Sequence, residues 1–364
     1  MQWFHFRVSN AKGVALTFRV LNAGDSAYPS GWDGYKVAIT TDKKTWGRVP
    51  DTSWDAAAGV LTFSLTPTED SCWLSYFAPF SYERHMEMMA RSSAHPAASL
   101  TVLGDSLDGR PIEELTIGSG RAQIWIVCQQ HPGEHMASWW VEGLLNRLLD
   151  PADPIGRKLV DQCTFHVVPR INPDGCARGH LRTNACGANL NREWCPSETP
   201  DGVAYDAPTL EKSPEVYHVL KAMDASGVDC CVDAHGDEGL PYNFFAGNRA
   251  SELYQRFQAC CVAASPDFQD VYGYHFAPGQ DAPAPVTAVR RPGPARGCTA
   301  QAAQRFDCLA VTLEMPFKDT ANNPVPSEGW SPPRCAIFGA AMLDALVKVV
   351  PTLRPEWDVA AAKL

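Results

Sequence analysis

The sequence is short of several things that would mark common protein classes. No apolar run approaches the roughly 20 residues that a membrane-spanning helix needs, and the opening MQWFHFRVSN lacks the basic-then-apolar layout of an export signal. A soluble, cytoplasmic protein is the expectation. Basic residues are outnumbered, 31 Lys and Arg against 41 Asp and Glu, for a formal charge of −10. Nucleic acids and anionic membranes recruit the opposite surplus, so neither is expected as a partner. The 13 cysteines are odd in number and show no CxxC spacing, in a chain of 364 residues. This excludes structural zinc fingers and speaks against a disulfide framework, leaving reduced thiols.

What is present is a chain that is 45% hydrophobic, long enough for two domains. Residues 1–76 are cut into short runs such as Phe4-His5-Phe6-Arg7-Val8, Val14 to Val20, Tyr35 to Ile39 and Val60 to Leu65. Turn residues separate them, and alternation within them predicts a small antiparallel β-sandwich domain. From residue 77 the pattern changes. Ser81 to Met89 reads as a helix, followed by two short strands around Leu107-Asp108-Gly109-Arg110. Apolar strands are then predicted at Gln123 to Cys128, Thr164 to Val168, Val228 to Val232 and Cys308 to Leu313. Helices at Met136 to Leu149 and from Ser213-Pro214 onward lie between them. Continuous apolar strands spaced by helices predict an α/β domain over residues 77–364, with a mixed, mostly parallel sheet flanked by helices. Residues 282–297, rich in Pro, Gly and Arg, read as a loop.

Open α/β sheets bind ligands beyond the carboxyl ends of their strands, so the residues that follow each predicted strand matter most. They are His131-Pro132-Gly133-Glu134, the turn Asn172-Pro173-Asp174-Gly175, Asp233-Ala234-His235, and Glu314. His131, Glu134 and His235 are ligand types for a catalytic zinc, since two imidazoles and one carboxylate leave the fourth position open. The competing reading makes His131 and Glu134 mere caps of the following helix. A second rival takes His131-Pro132-Gly133-Glu134-His135 as HxxEH, which requires one helix through all five residues. Pro132 and Gly133 disfavour that helix, so His135 is read as a non-ligand. Arg182 and Arg192, with Asn184, Asn189 and Asn191, offer planar forks and amides suited to a carboxylate-bearing substrate; each Arg alone would read as an ordinary surface ion pair. Glu314, inside an apolar strand, is either paired structurally or acts as a general base beside the metal.

Taken in order, His131xxGlu134, Asn172-Pro173-Asp174-Gly175, Asn191-Arg192, His235 and Glu314 resemble the motifs of the zinc metallocarboxypeptidases. The β domain, the Ala78-Pro79-Phe80-Ser81-Tyr82-Glu83-Arg84 stretch and the Thr312-Leu313-Glu314-Met315 context resemble the cytosolic carboxypeptidase-like branch. The resemblance implies one Zn2+ held by His131, Glu134 and His235. It further implies Asn191 and Arg192 on the substrate's terminal carboxylate, Arg182 on the scissile carbonyl and Glu314 as base. The implied substrate is a peptide or protein C-terminus. Two positions depart from the family's pattern. Asn189 stands where many members have Asp, so a ligand histidine is expected to lean on a neutral carbonyl oxygen. No Tyr lies between Tyr274 and Glu314 to match the family's substrate-capping Tyr, and Ala310 stands where branch members often have one. The alternatives kept beside this reading are a zinc-dependent deacylase of N-acyl amino acids and a non-catalytic binding module.

Overall fold

Alternation of apolar and polar residues turns the first seven strands into two antiparallel sheets. The computed structural model describes residues 2–195, 207–277, 279 and 296–354. Strands β1 (His5–Ser9), β2 (Leu16–Val20), β3 (Ala38–Thr40), β4 (Gly47–Arg48), β5 (Thr52–Asp55), β6 (Val60–Leu65) and β7 (Ser71–Ser75) pair as β1-β7-β3-β4 and β2-β6-β5. Phe6 of the first sheet meets Phe18 of the second at 5.7 Å between ring centroids, and Phe18 stacks on Phe63 at 5.2 Å. The two sheets therefore share an aromatic core.

The rest of the described chain forms α1 (Tyr82–Ser93), β8 (Ala98–Asp105), β9 (Pro111–Ile117), β10 (Ala122–Cys128), α2 (Met136–Leu148), α3 (Pro154–Gln162), β11 (Cys163–Val168) and α4 (Pro173–Arg178). It continues with α5 (Pro214–Ser226), β12 (Cys230–Asp237), β13 (Phe244–Gly247), α6 (Glu252–Ala264), α7 (Cys298–Phe306), β14 (Leu309–Pro316) and α8 (Pro332–Val349). Ser81 caps α1, its hydroxyl accepting from the Arg84 N–H at 3.1 Å. The seven-stranded sheet runs β13-β14-β12-β10-β11-β9-β8. Its centre, β14-β12-β10-β11, is parallel, and β13, β9 and β8 join antiparallel. Both faces of the centre are buried, which is why its strands are mostly apolar. Ile124 and Ile126 face α2 and α8, while Trp125 and Val127 face α5 and α7.

Helices α2 and α8 pack closely because glycine lets them. A Cβ at Gly339 would lie 1.9 Å from the Trp140 carbonyl oxygen. The stretch Pro332–Thr352 is 21 residues with a hydropathy of 1.6, long and apolar enough to cross a membrane by length and composition. This corrects the expectation that no such run exists; its apolar face is turned into the core against α2 and α6, with Phe338, Met342, Leu343 and Leu346 buried.

Three local differences from the sequence reading bear on the site. β12 continues through His235 to Asp237, and β14 through Glu314 to Pro316. Polar side chains interrupt the apolar run there, but the two strands stay hydrogen-bonded in register, His235 opposite Glu314. Asn172-Pro173-Asp174-Gly175 is not a turn but the start of α4, with Asn172 Oδ1 accepting from the Gly175 N–H at 3.0 Å. Of the predicted loop 282–297, residues 282–295 lie outside the described residues.

Candidate metal centre

The chain leaves β10 for β11 on one side and returns to β12 on the other, so the strand order reverses beside β10. That reversal opens a crevice at the carboxyl ends of the strands. The turn after β10 carries His131 and Glu134, and β12 carries His235. Gln129 enters the turn at φ 56°, a left-handed conformation that a residue with a side chain seldom adopts. Its amide donates to the Pro132 carbonyl at 3.2 Å and its Oε1 accepts from Arg170 Nε at 3.0 Å, which holds the turn in place.

His131 Nδ1 lies 2.7 Å from Glu134 Oε1, and His235 Nδ1 lies 2.8 Å from Glu134 Oε2. The two Nδ1 atoms are 3.1 Å apart. All three side chains are buried, with their ligating atoms within 4.8 Å of one another. Their outer sides are tied off separately. His131 Nε2 sits 3.1 Å from Asn189 Oδ1, and His235 Nε2 sits 2.9 Å from Asp233 Oδ2. Asp233 in turn accepts from Gln130 Nε2 at 2.7 Å, and Gln130 Oε1 accepts from Trp194 Nε1 at 2.7 Å. With an oxygen of Asn189 or Asp233 set behind each ring at Nε2, both Nδ1 atoms face the Glu134 carboxylate, which is the arrangement a metal requires. Two imidazole nitrogens and one carboxylate fit zinc with a position left for water or substrate. His135 is outside the set: its Nδ1 accepts from the Phe80 N–H at 3.2 Å and its ring lies 4.5 Å from Trp3.

The electrostatics fit a site built for a cation. Burial works against the charge on Glu134, yet the His131 and His235 imidazoles hold it well below the usual carboxylate range. Burial would lower His235, but the Asp233 and Glu134 carboxylates outweigh it and hold the imidazole well above its ordinary value. Desolvation lowers His131, which has no comparable second carboxylate.

Glu314 lies across the strand pair from His235, buried, and its Oε2 has no hydrogen-bond partner among the described residues. Burial pushes its carboxyl up to about 8, with His235 pulling down and Glu134 and Asp237 pushing up. Tyr274 comes to the same place: its hydroxyl donates to Asp237 Oδ2 at 2.9 Å and is within reach of Glu314. Arg182 is half-buried, its guanidinium carbon 5.5 Å from the centre of the Tyr28 ring. Arg192 is exposed and donates to the Asn191 carbonyl at 2.6 Å. Asn191 uses its Oδ1 to accept from the Cys298 N–H at 2.9 Å, and its Nδ2 lies 3.2 Å from His235 Nε2. Sequence reasoning placed Asp233 at the strand end but gave it no role, although it stands two residues before His235 on the same strand face. It missed Tyr274 and Tyr28, for which no local pattern points to the site.

Comparison with known proteins agrees with this geometry. Residues 1–77 match the cytosolic carboxypeptidase N-terminal domain, and residues 83–337 match the zinc carboxypeptidase family. An uncharacterised protein of Zymomonas mobilis is 41% identical over 360 residues, which is 97% of this chain and 88% of that protein. Mouse cytosolic carboxypeptidase 4 is 29% identical over 315 residues, 74% of this chain, and the match spans only 27% of the mouse protein. A metallo-carboxypeptidase structure from Burkholderia cenocepacia superposes with a TM-score of 0.86 at 40% identity, covering 97% of this chain and 90% of the other. One from Pseudomonas aeruginosa, in complex with (2-guanidinoethylmercapto)succinic acid, gives 0.85 at 37% identity, with 97% and 91% covered. By sequence and fold together, the chain belongs to the zinc carboxypeptidases, as a zinc-dependent hydrolase of the branch that carries a cytosolic carboxypeptidase N-terminal domain.

Proposed function

We propose that the protein removes residues from the C-termini of peptides or proteins, with His131, Glu134 and His235 holding one zinc ion. When bound there, zinc supplies a Lewis acid that acidifies water and polarises a carbonyl. Glu314 accepts the proton of the attacking water and returns it to the departing amine. Burial raises this carboxyl above the usual carboxylate range, which suits a group that takes up a proton in one step and gives it back in the next. Arg182 donates to the scissile carbonyl oxygen as it gains charge. Arg192, with Asn191, holds the terminal carboxylate and so confines cleavage to the chain end.

The observation that carries this reading is the convergence of the His131, Glu134 and His235 ligating atoms within 4.8 Å, with Glu314 in register beside His235. The succinate of the molecule bound by the Pseudomonas aeruginosa relative supports it, since Arg182 and Arg192 suit such carboxylates. We draw the division of the chain after residue 76, with a β-sandwich before it and the catalytic unit over 77–364. A cytoplasmic setting accords with relatives named cytosolic and with cysteines that are all free thiols.

The test offers the purified holoenzyme a panel of peptides differing only in their last residue, with chelator and with zinc restored. Release of one residue, abolished by chelation and recovered with zinc, is the expected result. Hydrolysis of N-acyl amino acids in the absence of any peptide cleavage would replace it with a deacylase.

A further inference from the structure

The N-terminal strands are joined to the rest of the molecule by more than contact area. Arg48 of β4 is buried and donates to the Lys36 carbonyl at 2.8 Å and to the Trp330 carbonyl at 3.0 Å, tying β4 to the start of α8. Tyr76 stacks on Phe317, the residue after β14, at 4.5 Å between centroids. Between these anchors, residues 28–33 of the N-terminal part reach the rim of the crevice. A Cβ at Gly31 would lie 2.7 Å from Glu238 Cβ, so only glycine permits the approach to the segment just beyond His235. Lys318 Nζ donates to the Asp33 carbonyl at 2.6 Å from the other side.

Tyr28 opens this segment, and its backbone is held on both sides by one side chain. Buried Gln2 accepts from the Tyr28 N–H at 2.9 Å and donates to the Tyr28 carbonyl at 3.2 Å and to the Tyr76 hydroxyl at 3.0 Å. The half-buried Tyr28 ring lies under the Arg182 guanidinium, 5.5 Å from centroid to carbon, and its phenol is within electrostatic reach of Glu134, Glu238 and Arg192. An arginine on a loop of the catalytic part is thus braced by an aromatic face from the N-terminal part.

We propose that Tyr28 is a positioning residue for the hydrolysis: its ring holds the Arg182 guanidinium against the crevice, so that the N-terminal strands supply part of the catalytic arrangement. The inference rests on the reading of Arg182 as the group that meets the scissile carbonyl. A flexible arginine spends rotamer freedom when it engages a developing charge, and a ring within about 6 Å of the cation holds part of that order in advance. The gain falls on the transition state, so kcat is affected and KM is left nearly as it was.

The experiment measures kcat and KM on a cleaved peptide for the zinc-loaded enzyme carrying Tyr28→Leu, Tyr28→Phe, Arg182→Ala, and Tyr28→Leu with Arg182→Ala. Tyr28→Leu should lower kcat about tenfold with KM changed less than about twofold, and Tyr28→Phe should recover most of the loss. In the Arg182→Ala background, Tyr28→Leu should cost nothing more. A series of increasingly fluorinated phenylalanines at position 28 keeps the shape while draining the ring's negative face, and kcat should fall along it. Undiminished loss from Tyr28→Leu in the Arg182→Ala background, or a flat fluorination series, would overturn the role of Tyr28 while leaving Arg182 in place. Wild-type turnover in Arg182→Ala itself would remove the reading of Arg182, and the inference with it.

Discussion

His131 leans on a neutral oxygen: its Nε2 lies 3.1 Å from Asn189 Oδ1, whereas His235 Nε2 faces the Asp233 carboxylate at 2.9 Å. A carboxylate behind a ligand imidazole raises its basicity, and loss of such a partner costs roughly 10- to 100-fold in metal affinity. Asp233→Asn should therefore weaken zinc binding by about that factor. Asn189→Asp should tighten it by about tenfold on the same basis. Titration against a competing chelator at fixed pH measures both, and equal affinities across the three proteins would show that these contacts do not tune the metal.

Glu314→Gln keeps the shape and burial of the side chain but removes the proton acceptor. Turnover should fall by about 100- to 10,000-fold, the ordinary worth of general acid–base catalysis. Zinc content after dialysis should be unchanged, because Glu314 is outside the three converging ligands. Near-normal turnover would mean that another group, such as Asp237, serves as base.

Glu215, in the first turn of α5, is fully buried and accepts from Asn184 Nδ2 at 3.3 Å. Burial pushes its carboxyl up to about 7 from an ordinary 4.5. Between those values the folded chain keeps a proton that the unfolded chain has released, so this residue's contribution to stability declines as pH rises through the window. Glu215→Gln cannot ionise and should show a smaller loss of stability between pH 5 and pH 8. Urea unfolding at the two pH values reads the difference; parallel losses in the two proteins would exclude Glu215 as its source.

Gly339→Ala places a methyl group where the Trp140 carbonyl oxygen already stands, 1.9 Å from the new atom. The helices α2 and α8 must separate, and overpacking of this kind costs about 1–3 kcal/mol. Chemical unfolding should show the loss, while zinc affinity at the far rim of the sheet stays constant. An unchanged midpoint would mean that the pair slides apart freely.

Much of the architecture was readable because the central strands are buried on both faces. Ile124, Trp125, Ile126 and Val127 form an unbroken apolar run for that reason, and Ser81 and Pro214 mark helix starts by local chemistry. Strand ends were harder to read where polar side chains enter the ladder. His235 and Glu314 end the apolar pattern but not the hydrogen bonding, which depends on backbone alone. The same physics separates the site residues that were found from those that were missed. Ligand types at strand ends announce themselves by composition, and the structure brings His131, Glu134 and His235 together. Tyr28 and Tyr274 reach the crevice through chain segments whose course no periodicity encodes, one from the far side of residue 76 and one through a contact with Asp237.

Glu134 and His235 are 101 residues apart in the chain, and they meet only when β12 has docked beside β10. Parallel pairing of this kind closes a long loop and belongs to the slow, non-local steps of folding. Ion capture is consequently a clock: a chain still missing that pairing presents at most His131 and Glu134, two of the three ligands, and holds zinc weakly. During refolding, the moment at which a zinc indicator loses its metal to the protein would date the closing of the sheet's centre, with no label needed on the chain.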